Sequence, residues 1–181
     1  MDRIAEAAAI NKAMLYYYFS SKDNLYREVL RSFFEPIFRG MAGGLVGDLS
    51  AEEKVRQLVS YLIDYYRVNS RFVRLLLREM ADGGQVLLAV LGESKQAKQG
   101  VRPQLIIDFF EAGIRQGFFR PLDARHLIVS MIGMCLFMFI GQPILPLMLD
   151  IHPEKDETVR QRKKQVADLL LNGLLHHKRQ E

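Results

Sequence analysis

The 181-residue sequence contains no tryptophan and a single cysteine, Cys135. One thiol excludes an internal disulfide and is consistent with a reducing compartment. Cys135 lies inside an apolar run, which favours a small core residue, with a redox sensor as the alternative. The histidines lack metal-ligand spacing with carboxylates or with the cysteine, so we assign no metal site; they are His126, His152, His176 and His177.

The sequence also lacks the patterns that catalysis requires. No nucleophile–base pairing, metal-ligand set or phosphate-binding loop is recognisable, so we expect neither an enzyme nor a bound cofactor. No signal peptide is apparent at the first residues, which predicts a cytoplasmic protein. The net charge of +4 is compatible with nucleic acid but does not demonstrate it.

The longest uncharged stretch runs from Leu127 to Leu149. Its length alone would suffice for a membrane span, which needs about 20 apolar residues. Gln142, Pro143 and Pro146 argue against a span, because they end the helix near residue 141 and leave a first piece too short to cross. A helix that is hydrophobic all round is equally expected between the body of a subunit and its partner, so we predict no membrane association.

Apolar residues recur at helical spacing throughout, and alternating β-branched patterns are hard to find, so the sequence predicts an all-α fold. A glycine-rich joint at 43–47 divides an N-terminal domain, residues 1–44, from a larger body, residues 45–181. Further predicted helices cover 22 to about 41 (continuing past Pro36 or restarting there), 51–68, 70–82, 85 to about 116, 122–140 and 154 to about 177. The 85–116 stretch is soft around 92–100, and 141–153 forms a proline-rich bend. Ser50 and Glu53 form a capping box at the start of the 51–68 helix.

The first 30 residues carry the pattern of a helix-turn-helix. Ile4, Ala5 and Ala8 share one face of a first helix, which breaks at residues 9–10. Asn11 caps a second helix, predicted over 12–19, with Leu15 buried. Two short helices joined by a tight turn place the second one in the DNA major groove.

This segment resembles the TetR family of one-component bacterial repressors. The family pattern is close to I-A-x-x-A-G-V-S-x-x-x-L-Y-x-x-F-x-S-K-x-x-L, and the matching residues are Ile4, Ala5, Ala8, Ile10, Leu15, Tyr16, Phe19, Ser21, Lys22 and Leu25. Ala9 replaces the usual glycine at a turn position that favours positive φ, at a cost of roughly 1 kcal/mol. Asn11 replaces the usual serine or threonine, and Tyr18 a common histidine.

The family places a whole helix before the position of Ile4, whereas this sequence has only Met1, Asp2 and Arg3 there. Two explanations compete. The start of the chain has been misassigned or trimmed, or the protein has an incomplete DNA-binding domain.

The resemblance implies that the helix over 12–19 reads DNA. Lys12, Ala13 and Met14 lie at its exposed start, where side chains meet base edges, beside the cap Asn11. Tyr16, Tyr17 and Lys22 are expected to contact phosphates, which set register without reading sequence. The alternative is that the tyrosines cover a small core.

The resemblance also implies a helical body that holds a small effector. An aromatic and methionine-rich set on two adjacent predicted helices would line an apolar pocket; its members are Phe109, Phe110, Met131, Met134, Phe137 and Met138. The alternative is that these residues belong to the hydrophobic core and to the dimer interface. Arg78 and Glu79 are expected to form a structural salt bridge with each other rather than to anchor a ligand.

The last two long helices are expected to pair with the same helices of a second subunit. The predicted interface residues are Leu127, Met131, Val166, Leu169, Leu170, Gly173 and Leu174. The basic run Arg160, Arg162, Lys163 and Lys164 is expected to be a solvated helix face.

We therefore predict a homodimeric regulator, a repressor, that binds a palindromic double-stranded operator and is released by a small apolar effector. The alternative is a dimeric small-molecule-binding module that no longer reads DNA.

Overall fold

The computed structural model describes residues 1–96 and 103–175, and within these ranges all regular secondary structure is helical. The predicted all-α fold is therefore confirmed. The helices are α1 (Asp2–Ala7), α2 (Lys12–Phe19), α3 (Lys22–Gly43), α4 (Ala51–Val68), α5 (Ser70–Ala81), α6 (Gln85–Gln96), α7 (Gln104–Arg115), α8 (Ala124–Ile140), α9 (Leu145–Leu149) and α10 (Asp156–Leu174). Part of the predicted soft region, the predicted helix end near 177, and His176 and His177 lie outside the described residues.

Helix α4 is the central element of the core and packs against α3, α5, α8 and α10. Its inward face follows helical spacing and is fully buried at Val55, Leu58, Val59, Leu62 and Ile63. Burying each such aliphatic side chain contributes roughly 1.5–3 kcal/mol. The predicted capping box begins the helix, since the Ser50 hydroxyl accepts from the Glu53 amide at 3.2 Å and the Glu53 carboxylate accepts from the Ser50 amide at 2.9 Å.

Helix α3 continues through Pro36 as one 22-residue element. Proline removes an intrahelical hydrogen bond and its ring crowds the preceding turn. Two tyrosine hydroxyls of α4 donate to the backbone there: Tyr61 to the Pro36 carbonyl and Tyr65 to the Phe33 carbonyl, each at 2.6 Å. The tertiary contact with α4 thus satisfies carbonyl groups around the proline and holds α3 in one piece.

The two ends of α3 have different surroundings. Its first turns carry α2, whereas Ile37 and Met41 near its other end belong to the same core as α4. Helix α3 is therefore shared between the DNA-binding segment and the body. The predicted domain boundary between residues 44 and 45 stays a prediction.

The uncharged stretch forms α8, a turn and the short α9, an element that the sequence analysis assigned to a bend. The turn begins at Gly141, where an added Cβ would lie 3.1 Å from the Leu145 side chain. Cys135 is fully buried on α8, and burial raises the pKa of its thiol to about 12. Over the two described ranges, no helix combines the length and the hydropathy needed to cross a bilayer.

Candidate DNA interface and effector-binding body

The turn between α1 and α2 has the backbone geometry that the sequence pattern predicts. Ala9 adopts a φ of 53°, in the left-handed region where glycine is favoured. Asn11 caps α2 through a hydrogen bond from the Ala13 amide to its side-chain oxygen at 2.9 Å. Leu15 is buried, which fixes the rotation of α2 and turns its other faces outward.

All of the predicted DNA contacts are exposed: Asn11, Lys12, Ala13, Met14, Tyr16, Tyr17 and Lys22. Tyr17 is 82% exposed and its ring packs edge-on against Tyr18, with ring centroids 5.2 Å apart. The tyrosines thus do not cover a core in this protomer. They form a surface of hydroxyl donors suited to phosphate oxygens.

The charge of Lys12 is shared with α1. Its Nζ lies 2.7 Å from the Asp2 carboxylate. This hydrogen bond lowers the pKa of Asp2 and raises the pKa of Lys12, so both groups are charged at neutral pH. The pair is solvent-exposed and therefore weak, which leaves Lys12 able to exchange the carboxylate for a phosphate or a guanine.

Glu79 joins the DNA-binding segment to the body, a role that corrects the predicted Arg78–Glu79 pair. The Glu79 side chain is buried, and its carboxylate accepts hydrogen bonds from the Val86 and Leu87 amides at 2.9 and 3.1 Å. It also accepts from the Tyr26 hydroxyl of α3 at 2.8 Å. Burial and this carboxylate raise the pKa of Tyr26 to about 12, so the phenol is a permanent donor at neutral pH. Arg78 instead lies 3.9 Å from Asp82.

Two ion pairs add to this junction. Glu93 of α6 accepts from Arg27 at 3.1 Å and from Arg31 at 2.7 Å, both on α3. Helix α3, which carries α2, is thereby attached to the two ends of α6.

The residues predicted to line an effector pocket on α7 and α8 differ in their exposure. Phe110, Met131 and Met138 are at most 2% exposed and belong to the core, and their assignment as pocket walls stays a prediction. Met134 is half-buried, and Phe137 is 55% exposed on the outside of α8. Phe109 does line a cavity of about 430 Å³, which lies elsewhere, between the start of α4 and the end of α7.

The predicted dimer residues also divide into two groups. Met131, Val166, Leu170 and Leu174 are buried within the single chain and leave little surface for a second subunit, and their assignment to an interface stays a prediction. Leu169 is 60% exposed, and Leu127 and Gly173 are half-buried. Because α8 is apolar all round, sequence spacing alone did not separate its inner and outer faces.

The basic run on α10 is only partly a solvated face. Arg160 and Lys164 are exposed. Arg162 is half-buried and donates to the Met134 carbonyl of α8 at 2.6 Å, and Lys163 pairs with Asp64 of α4 at 2.7 Å. Two members of the run therefore hold α10 against its neighbours.

Sequence reasoning missed Tyr26, Glu93 and the capping role of Glu79. Glu79 lies seven residues before the Val86 amide that it caps. No short sequence pattern indicates this role, because the two groups meet only through the turn between α5 and α6. Leu49 and Lys54, which line the cavity, were also missed. Nothing in the sequence around either residue indicates that it borders a cavity.

Two family models match the chain. The first, described as bacterial regulatory proteins of the tetR family, matches residues 1–29. The second, described as a tetracyclin repressor-like C-terminal domain, matches residues 52–170. Together they cover the helix-turn-helix and the greater part of the body.

Named relatives and solved structures agree with these matches. The chain is 26% identical to the HTH-type transcriptional repressor NicS of Pseudomonas putida, over 96% of this chain and 82% of that protein. It is 27% identical to the HTH-type transcriptional regulator RutR of Escherichia coli, over 71% of this chain and 58% of that protein.

The fold is similar to that of the ketosteroid transcriptional regulator KstR2 of Mycobacterium tuberculosis, with a TM-score of 0.69 and 20% identity over 96% of this chain and 83% of that one. A tetR-family regulatory protein from Rhodococcus RHA1 gives a TM-score of 0.72 at 13% identity, over 98% and 86% of the two chains. The chain therefore belongs to the tetR family and is a transcriptional regulator, not an enzyme, with a helix-turn-helix DNA-binding segment and a helical ligand-binding body.

Proposed function

We propose that the protein is a repressor that binds a palindromic operator as a homodimer, in the cytoplasm, and leaves it when a small apolar effector occupies the body. The observation that carries this proposal is the outward face of α2. Its predicted contacts are exposed, while Leu15 anchors the helix from behind. The name of its relative NicS as a transcriptional repressor supports the sign of the regulation.

Base reading is assigned to the first turn of α2, and phosphate binding to the rest of α2 and to Lys22 at the start of α3. Ala13 and Met14 present small apolar surface that suits thymine methyl groups, and Lys12 reaches a guanine or a phosphate. Tyr16, Tyr17 and Lys22 bind phosphates and fix the register.

Fluorescence anisotropy with the DNA upstream of the gene tests DNA recognition. We expect specific binding whose affinity falls steeply with salt, because phosphate contacts release counterions. Tyr17→Ala and Lys22→Met should weaken binding at least tenfold. Lys164→Met, which removes an equally exposed lysine on α10, serves as the matched control. Equal affinity for operator and unrelated DNA, or unchanged binding by both Tyr17→Ala and Lys22→Met, contradicts the proposal.

We propose that the second subunit packs on the outer faces of α8 and α10. An exposed stripe on α8 consists of Val129, Gly133 and Phe137, at i, i+4 and i+8, and Leu169 is exposed on the neighbouring α10. Two such helix pairs make a four-helix bundle with two-fold symmetry. This surface replaces the buried residues of the sequence-based assignment and retains Leu169.

Release from DNA follows from geometry. The two recognition helices of a dimer must be about 34–36 Å apart to enter successive major grooves. An effector that binds more tightly when the two recognition helices are farther apart shifts the population of dimers toward that conformation. The Tyr26–Glu79 bond and the pairs of Arg27 and Arg31 with Glu93 transmit the movement from α6 to α3.

The second candidate is a dimeric small-molecule-binding module without operator preference. It is favoured by the apolar surface of α1, where Ile4 is 38% exposed and, with Met1, Ala7 and Ala8, lines an open depression. This candidate predicts dimerisation and ligand binding with no difference between operator and unrelated DNA.

A further inference from the structure

A cavity of about 430 Å³ lies at the end of the body where α4 begins and where α7 and α10 end. We call it the distal pocket, and its walls include Leu49, Lys54, Phe109, Gln116, Phe118 and Phe119. Its volume is in the range of small-molecule sites, which are concave and mostly apolar with a few polar groups.

The aromatic floor of the distal pocket is held in place by the core. Phe119 is 1% exposed, and its ring centroid lies 6.0 Å from that of Phe109 and 5.9 Å from that of Phe110. An added Cβ at Gly113 would come within 2.4 Å of the Phe119 ring. The absence of a side chain at residue 113 therefore lets the ring pack against α7. Phe118, by contrast, is 57% exposed at the edge of the cavity. The floor is therefore preformed, and the aromatic ring at the rim has room to move.

The polar groups of the pocket favour an anionic ligand group. Lys54 is half-buried. Among residues 1–96 and 103–175, none forms an ion pair or a side-chain hydrogen bond with Lys54. The nearby Glu53 carboxylate is engaged by Ser50 in the capping box, and the Glu52 side chain, which also lines the cavity, is exposed to water. The positive charge of Lys54, on a cavity with aromatic walls, offers a partner to a negatively charged ligand group.

We propose that the distal pocket binds an apolar, ring-containing carboxylic acid, with its carboxylate at Lys54 and its ring between Phe109, Phe118 and Phe119. As an assignment of the effector site, the proposal rests on the proposed function. It differs from the predicted pocket between α7 and α8, which shares only Phe109 with it.

The distal pocket has a direct connection to the DNA-binding segment. Leu49 and Ser50, which line it, belong to the short segment that joins α3 to α4. Helix α3 is 22 residues long, about 33 Å, and carries α2 at its other end. A ligand that displaces the 49–50 segment therefore acts on the far end of the helix that orients α2.

Isothermal titration calorimetry with 2-naphthoate and its neutral analogue 2-naphthamide tests the site. We expect the acid to bind at least tenfold more tightly than the amide. Lys54→Met should bring the acid to the affinity of the amide, whereas the control Lys164→Met retains the difference. Ala112→Trp fills the pocket and should abolish binding of both probes. Phe118→Ala, at an exposed position that leaves the fold intact, should weaken both.

Equal affinities for the two probes in the unaltered protein overturn the assigned chemistry. Undiminished binding by both Ala112→Trp and Phe118→Ala overturns the assigned place. Anisotropy with operator DNA separates this proposal from the proposed function. Naphthoate that binds the pocket without changing operator affinity overturns the effector role alone. Absence of specific DNA binding by the free protein overturns the proposed function, and the calorimetry still decides the pocket.

Discussion

At the scale of single residues, Ala9 shows how a local conformation constrains the DNA-binding segment. Its φ of 53° brings the methyl group close to the following carbonyl oxygen, a contact that glycine avoids. The strain lies in the turn that sets the angle between α1 and α2. The position of the recognition helix is thus maintained against a local energetic cost.

Replacing Ala9 with glycine should relieve this strain. We expect Ala9→Gly to raise the free energy of unfolding by up to about 1 kcal/mol, since the gain is partly offset by the greater freedom of glycine in the unfolded chain. Urea denaturation followed by circular dichroism measures the change. Ala8→Gly is the control, because Ala8 has a φ of −90° and gains nothing from glycine. A destabilised Ala9→Gly variant would contradict the interpretation.

Removing the Glu79 carboxylate should destabilise the protein strongly. Glu79→Ala leaves the Val86 and Leu87 amides without their acceptor and the Tyr26 hydroxyl without its partner, at a cost of roughly 3 kcal/mol. The neighbouring Arg78→Ala, at an exposed side chain, should change the free energy of unfolding by less than about 0.5 kcal/mol. Equal urea midpoints for the two variants would show that Glu79 is not the structural cap.

At the scale of elements, α3 and α4 approach each other closely. Tyr61 of α4 lies over Gly40 of α3, and the hydroxyls of Tyr61 and Tyr65 bind carbonyls around Pro36. The absence of a side chain at residue 40 lets the ring reach the backbone.

A methyl group at residue 40 should disturb the contact. Gly40→Ala places its Cβ 1.9 Å from the Tyr61 ring, so the ring must shift and lose its hydrogen bond to Pro36, or the helices must separate. We expect a loss of about 1–3 kcal/mol in the free energy of unfolding. Gly43→Ala, in the last turn of the same helix with no atom within 4 Å of the added Cβ, is the matched control and should not destabilise. Thermal and urea unfolding of both variants compare the two positions. A neutral Gly40→Ala would rule out a tight α3–α4 contact.

At the scale of the whole molecule, the body presents apolar surface that a protomer does not need for folding. Val129, Phe137 and Leu169 are each more than half exposed on adjacent helices, while the inward sides of the same helices are buried. A second copy that covers this surface would fix the separation of the two recognition helices.

If the proposed dimer forms through this surface, a charge placed on it should dissociate the dimer without unfolding the single chain. Leu169→Glu buries two carboxylates near the symmetry axis, and we expect at least a tenfold weaker association, with a matching loss of operator affinity. Sedimentation equilibrium measures the association. Leu88→Glu, a similarly exposed leucine on α6, is the control and should remain dimeric. Identical sedimentation of Leu169→Glu and the unaltered protein would exclude the α8–α10 surface as the interface.

Features that depend on residues close in sequence could be predicted from the sequence. The Asn11 cap, the positive φ of Ala9 and the Ser50–Glu53 box each involve groups within three positions of one another. The buried face of α4 was also predictable, because its polar residues mark the opposite side.

By itself, then, the sequence determined the family, the all-helical fold and the exposed reading helix, since short-range hydrogen bonds and clear amphipathic spacing specify them. Only the tertiary structure decided which side of the uniformly apolar α8 is core, what Glu79 binds and where the cavity lies. In each case the outcome is set by partners far away along the chain, such as Tyr26, 53 positions from Glu79. The residues next to a side chain in the sequence do not indicate which distant helix will pack against it.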